Sequence, residues 1–306
     1  MFAEPEEPAF ETLSERRRFK ASLVLLTVWL VVVALHVYPV LRWGIVGLAA
    51  FMAVYAVRFV ALQPSYVSSV PVASEIDAGG EVPFVSILIP AKNESAVLPA
   101  LLQTLSQLDY PGDRFDVWAI DDASTDSTPE CLSDGQTRFP QVRVYRREAG
   151  ASGGKSGAMN EVLPMTQGDI IAVFDADAAV PADLLKRSLP LFKSEKVAAV
   201  QVRKAIANVD SNLWTRGQSI EMALDSYFQQ QRVAVGGLSE LRGNGQLVRR
   251  SALQKVGGWN EATVTDDLDL TLRLHLLGGD IAFLLTPPVL EEGVTDGISL
   301  WHQRNR

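Results

Sequence analysis

The chain has 306 residues, 47% of them hydrophobic and 21% charged, which is enough apolar material for a sizeable core and excludes bulk disorder. Its net charge of −8 is uneven: residues 1–62 carry +1 and residues 63–306 carry −9, which excludes a basic surface for wrapping nucleic acid. One cysteine, Cys131, excludes a disulfide framework and a cysteine zinc site, and the three histidines, His36, His275 and His302, form no ligand motif.

Residues 1–20 read as a cytoplasmic tail, acidic at first and then basic through Arg16, Arg17, Arg18 and Lys20. Two apolar runs follow, 21–41 and 44–62, separated by Arg42 and Trp43. The first is too long for a signal-peptide core and no small-x-small cleavage site follows it. The pattern predicts a two-helix transmembrane hairpin over 21–62. Basic residues before the first run place both the tail and everything after Leu62 in the cytoplasm, which describes a multi-pass membrane protein. Residues 63–82 (QPSYVSSVPVASEIDAGGEV) read as a linker.

From residue 83 onward, short apolar runs alternate with helical patterns. Strands are predicted at 84–89, 115–120, 141–145, 169–174 and 197–202, and helices near 95–108, 126–133, 156–165 and 182–193. The strands are apolar throughout, as strands covered on both faces would be. This predicts a mostly parallel α/β sheet flanked by helices, with ligands beyond the carboxyl ends of the strands.

The residues that leave those strands carry the chemistry. Asp121-Asp122-Ala123-Ser124-Thr125-Asp126 follows the second strand. A capping turn with Asp126 as N-cap explains Ser124 to Asp126, but not two carboxylates leaving an apolar strand. Asp175-Ala176-Asp177 follows the fourth strand. Two carboxylates separated by one small residue can share a hard cation, Mg²⁺ or Mn²⁺, with substrate phosphates completing its shell. Between them, the loop before Lys155 lacks P-loop spacing, because Ala149 stands where the first glycine belongs. A Gly-rich loop with one lysine, opening a helix, still suits a nucleotide diphosphate. Thr265-Asp266-Asp267 opens a further helix, which by itself is ordinary capping chemistry.

The order and spacing of these signals resemble the family 2 glycosyltransferases, specifically the membrane-bound branch that includes cellulose, chitin and hyaluronan synthases. That branch carries a D, D-x-D, T-E-D, Q-x-x-R-W series. The corresponding residues here are Asp121 and Asp122, Asp175 and Asp177, Thr265-Asp266-Asp267, and Gln303 with Arg306. Asp266 departs from the expected Glu, and the chain stops before the expected Trp. Stretches such as GGKSGAMNEVLP, WTRGQSIEMALDSYFQQQRVAVGG, TDDLDLTLRLHL and LWHQRNR are similar to the cyanobacterial β-monoglucosyldiacylglycerol synthases, from about Arg16 to Arg306.

The resemblance implies a GT-A fold over 83–306, with a C-terminal membrane region missing after it. It implies an inverting enzyme that moves glucose from UDP-glucose to diacylglycerol at the lipid bilayer with Mg²⁺, the alternative being a processive polysaccharide synthase. It assigns Asp175 and Asp177 to the metal, and Asp121, Asp122, Lys155, Gln303 and Arg306 to the donor. Asp267 becomes the general base beside Asp266, and Gly243, Asn244 and Gly245 approach the acceptor.

Overall fold

A computed structural model describes residues 9–38, 42–61, 82–234 and 237–304. The chain divides into two units, Met1–Leu62 and Gln63–Arg306. The first is built from α1 (Ala9–Val37) and α2 (Arg42–Ala61). The first helix stops two residues before Pro39, whose ring would displace the residue ahead of it from helical geometry. Apolar side chains are exposed along both helices, Leu25, Trp29, Phe51 and Val54 among them.

Among the described residues no helix is long and apolar enough to cross a membrane. The predicted transmembrane hairpin and multi-pass topology are not shown by the described residues. The uncharged part of α1 is 21–37 and that of α2 is 43–57, between Arg42 and Arg58. The predicted linker lies, but for its last residue, outside the described residues, as does the start of the tail.

The second unit alternates β1 (Val85–Ala91), α3 (Leu98–Leu105), β2 (Phe115–Asp121), α4 (Thr128–Arg138), β3 (Val142–Arg146), α5 (Gly154–Val162), β4 (Ile170–Val173) and α6 (Leu184–Ser188). It continues with β5 (Val197–Ile206), α7 (Leu213–Ala234), β6 (Gln246–Arg249), α8 (Arg250–Lys255), α9 (Asp266–Leu276), β7 (Asp280–Glu291) and α10 (Gly297–Arg304). Prolines shape the helix boundaries. Pro99 stands in the first turn of α3, and Pro164 and Pro190 fall where α5 and α6 tighten into 3₁₀ turns. Asp126 is not the N-cap of α4, which starts at Thr128 with Ser127 in the cap position. Its carboxylate still accepts the Thr128 N–H (3.0 Å).

The seven strands form one sheet in the order β3-β2-β1-β4-β6-β5-β7. All pairs are parallel except those made by β6, which runs antiparallel to both neighbours. β1, β2 and β4 are buried almost throughout. Edge strand β3 is half exposed, and its Arg143 and Arg146 suit that position.

Alternate residues feed two cores. Ile87, Ile89, Ala172 and Phe174 join Leu98, Leu102, Leu132 and Leu185 on one side, while Leu88, Ile171 and Val173 join Met159, Val162, Leu253 and Leu270 on the other. Phe174, fully buried immediately before Asp175, couples the core to the strand ends. Phe174→Ala is expected to cost about 3–5 kcal/mol in a urea melt, because the emptied ring volume cannot collapse inside a sheet. An unchanged melting midpoint would contradict that packing.

Candidate active site

The parallel strands aim their carboxyl ends at one edge of the sheet, and β6 adds its entry to that edge because it runs the other way. Val173 pairs with Gln246, so residues 243–245 arrive beside the end of β4. Ile206 pairs with Glu291, which brings the end of β7 to the same edge. Ala179 and Leu290 exchange backbone hydrogen bonds (2.8 and 3.0 Å), tying the D-x-D turn to β7.

Asp121 and Asp122 stand at the end of β2 in different surroundings. Asp121 is buried, with Oδ1 accepting the Ser124 N–H (2.9 Å) and Oδ2 3.3 Å from Arg146 Nε. Asp122 lies nearer the surface and faces Lys92 at 3.4 Å. Its Oδ1 accepts from Arg147 Nη1 at 2.6 Å. The loop after β1 is laced to this turn: Asn93 N–H donates to Ser124 Oγ, and Thr125 N–H to Asn93 Oδ1 (2.9 and 2.8 Å). Ser95 and Thr128 donate to Asp126, and these bonds hold its carboxyl well below the usual carboxylate range.

Lys155 Nζ lies 2.5 Å from Asp175 Oδ1. Burial by itself lowers the pKa of this ammonium, but the carboxylates of Asp175, Asp266 and Asp267 outweigh it and hold the pKa above its ordinary value. Next to it, Ser156 Oγ donates to Asp266 Oδ2 (3.1 Å). Asp267 uses Oδ1 on the Leu268 N–H (2.8 Å). A methyl group built on Gly243 would sit 3.9 Å from Asp267 Oδ2 and 4.0 Å from Lys155 Nζ, so Gly243 borders the same cleft. Lys155, Asp175, Asp266, Asp267 and Gly243, far apart in the chain, thus meet in one place. Thr265 occupies the cap position of α9 without a side-chain cap bond.

Asn244 and Gly245 do not face that cleft. Asn244 is buried, its Oδ1 accepting the Asp175 N–H (3.2 Å) and its Nδ2 donating to Glu291 Oε2 (3.3 Å). Gly245 is held between β4 and β5 by hydrogen bonds to Val173 and Val202. A Cβ there, at φ +73°, would meet Val289 Cγ2 at 3.2 Å. Asp177 reaches solvent. Partial desolvation first, then the carboxylates of Asp175 and Glu291, push its pKa up, against a smaller opposing effect of Lys204. Among the described residues no group of three or more His, Cys, Asp or Glu side chains is placed to hold a metal ion. Asp177 is crowded with like charge from Asp175 and Glu291.

Gln303 lies on α10 and lines a cleft of about 350 Å³ together with Lys204, Gln218, Arg242 and Glu291. Arg304 pairs with Glu221 of α7 through both terminal guanidinium nitrogens. Arg306 lies outside the described residues. Sequence reasoning missed Arg147, Glu291 and the pinning role of Asn244. The only available signal was the Arg146-Arg147 doublet leaving a strand, one side chain for each face.

Residues 86–257 match the sequence model of Glycosyl transferase family 2. The chain is 54% identical over 293 residues to a β-monoglucosyldiacylglycerol synthase of Synechocystis sp., covering 96% of this chain and 61% of that protein. A synthase of the same name from Nostoc sp. is also 54% identical, over 95% of this chain and 60% of its own length. The chain therefore spans about three-fifths of the curated relatives it matches. In fold it is similar to the mannosyltransferase PcManGT from Pyrobaculum calidifontis, solved with GDP-Man and Mn²⁺. The TM-score is 0.60 at 21% identity, over 81% of this chain and 71% of that one.

Proposed function

From the premise that this chain belongs to Glycosyl transferase family 2, we propose that it transfers glucose from UDP-glucose to the free hydroxyl of 1,2-diacylglycerol, with inversion, giving a β-glucoside. The observation that carries this reading is the meeting of Lys155, Asp175, Asp266, Asp267 and Gly243 at one cleft. Identity to two synthases of that name supports the choice of donor and acceptor.

Each residue has a chemical task. Asp121 and Asp122 accept hydrogen bonds from the uracil N–H or the ribose hydroxyls. Lys155, with Gln303 and Arg306, engages the diphosphate as charge develops on it. Asp175 and Asp177 hold a divalent cation, Mg²⁺ or Mn²⁺; the crowding at Asp177 and the cation already on Asp175 fit a site built to receive positive charge. An ion held there would supply Lewis-acid stabilisation to the leaving diphosphate. Asp267 takes the proton of the acceptor hydroxyl, with Asp266 held beside it by Ser156. Gly243 leaves room for the acceptor, while Asn244 and Gly245 hold the backbone behind it.

The acceptor is a lipid, and the exposed apolar side chains of α1 and α2 support contact with a bilayer. Basic residues 16–20 favour its anionic cytoplasmic face. The domain layout follows as a tail to residue 20, a bilayer-associated segment over 21–62, a linker to 82 and a catalytic domain from 83.

The test is to incubate the protein with Mg²⁺, diacylglycerol in mixed micelles and labelled UDP-sugars, and to resolve the products. A single β-glucosyl diacylglycerol, formed with UDP-glucose alone, is expected. A ladder of polymer would move the assignment to a processive polysaccharide synthase.

A further inference from the structure

We propose that Arg147 is the positioning residue of the donor site, setting both the nucleoside-side carboxylate Asp122 and the loop that delivers Lys155. This inference rests on the reading of Asp122 and Lys155 as donor-binding residues. The Arg147 side chain is 1% exposed, whereas Arg146 beside it is 56% exposed. Burial of a guanidinium is costly unless its donors are used, and here they are.

Nη1 donates to Asp122 Oδ1 (2.6 Å) and to the Gly154 carbonyl (3.3 Å). Nη2 donates to the Ser152 carbonyl (2.6 Å) and to Glu161 Oε1 (2.8 Å), and Nε also donates to Glu161 Oε1 (3.1 Å). The Arg147 N–H donates to the Asp121 carbonyl (2.9 Å).

One side chain thus joins three segments: the exit of β2, the loop over 150–154 and helix α5. That loop would be loose without it, since Gly150, Gly153 and Gly154 all adopt positive φ. The helix approaches closely enough only because residue 157 is glycine. A Cβ there would stand 2.5 Å from the Ser152 carbonyl and 3.0 Å from Arg147 Nη2. Lys155 follows Gly154 directly, so the two carbonyls gripped by Arg147 fix the point from which Lys155 reaches Asp175.

At Asp122 the guanidinium takes one oxygen and leaves Oδ2 on the open side, where its nearest cation is the exposed Lys92 (3.4 Å). A lysine at position 147 would keep the charge but could not present the planar fork that reaches four acceptor groups at once.

The test is UDP binding by calorimetry, which needs no lipid, together with donor kinetics. Arg147→Lys is expected to raise the Kd for UDP about tenfold to a hundredfold, the range for losing one or two charged hydrogen bonds. The KM for UDP-glucose should rise in parallel and kcat should change far less. In an Asp122→Asn background the same substitution should weaken binding much less, because the two act through one contact. A merely structural role would lower the fraction of binding-competent protein and leave Kd unchanged. Unchanged Kd, or fully additive effects of the two substitutions, would overturn the inference.

If Arg147→Lys does not fold, Glu161→Gln keeps Arg147 and loosens its second anchor. A few-fold weaker UDP binding is expected, and no change would overturn the inference. Wild-type protein that fails to bind UDP would instead overturn the donor-site reading beneath it.

Discussion

Asp267→Asn is expected to lower kcat by about 10²–10⁴-fold, the range for losing a general base, while UDP binding stays close to wild type. The substitution is isosteric. The amide oxygen can still accept the Leu268 N–H, so the first turn of α9 keeps its geometry. What is lost is the basic Oδ2 at the cleft bordered by Gly243 and Lys155. Single-turnover transfer and UDP calorimetry on the same preparation separate the two effects. A comparable loss of UDP affinity would show that Asp267 holds the donor rather than taking the acceptor proton.

The second large effect is expected at Asp177, where function and stability should move in opposite directions. Partial desolvation and the carboxylates of Asp175 and Glu291 raise the pKa of Asp177. A carboxyl whose folded-state pKa exceeds its unfolded value costs stability at any pH above both, and the cost disappears as pH falls below them. Asp177→Asn removes that cost, so the metal-free protein should melt no lower than wild type at neutral pH. Under the metal role proposed for Asp175 and Asp177, the same change removes one of two charged oxygen ligands. Divalent-cation-dependent UDP binding should then weaken by about two orders of magnitude or more, as loss of a carboxylate ligand implies. The experiment is a thermal melt in chelator beside a Mg²⁺ and Mn²⁺ titration of UDP binding. A lower melting point with unaltered cation dependence would make Asp177 a structural residue.

Asp175 differs from Asp177 although only Ala176 separates them. It already bonds Lys155, and its backbone N–H is held by Asn244. The cluster in the cleft is therefore partly neutralised by a lysine. The proposed diphosphate site of so acidic a protein calls for local cations, and the sheet edge carries Lys155 from α5 and Lys204 from β5.

Apolar runs at 84–89, 115–120 and 169–174 mark buried strands because a strand covered on both faces has no polar side to betray it. The carboxylates that end them were legible for the same reason, since charge directly after an apolar strand stands out. β6 left no comparable trace. Its four residues, Gln246–Arg249, are too short for a periodic signal, and what makes it a strand is its pairing with β4 and β5. The two apolar N-terminal runs were legible as helices, and α1 and α2 cover them from 21 to 37 and from 44 to 61.

By itself, the amino-acid sequence determined the strand-helix alternation, the family signature and the acidic residues at the strand ends, because these rest on local periodicity and short motifs. Only the tertiary structure decided which of those residues share a cleft. The antiparallel entry of β6 brings Asn244 to the Asp175 backbone, and the β5–β7 pairing carries Glu291 to the same edge. Burial then separates Arg147 from Arg146 and Asn244 from Gly243. Such differences depend on what lies across the sheet, tens of residues away in the chain, where no local pattern reaches.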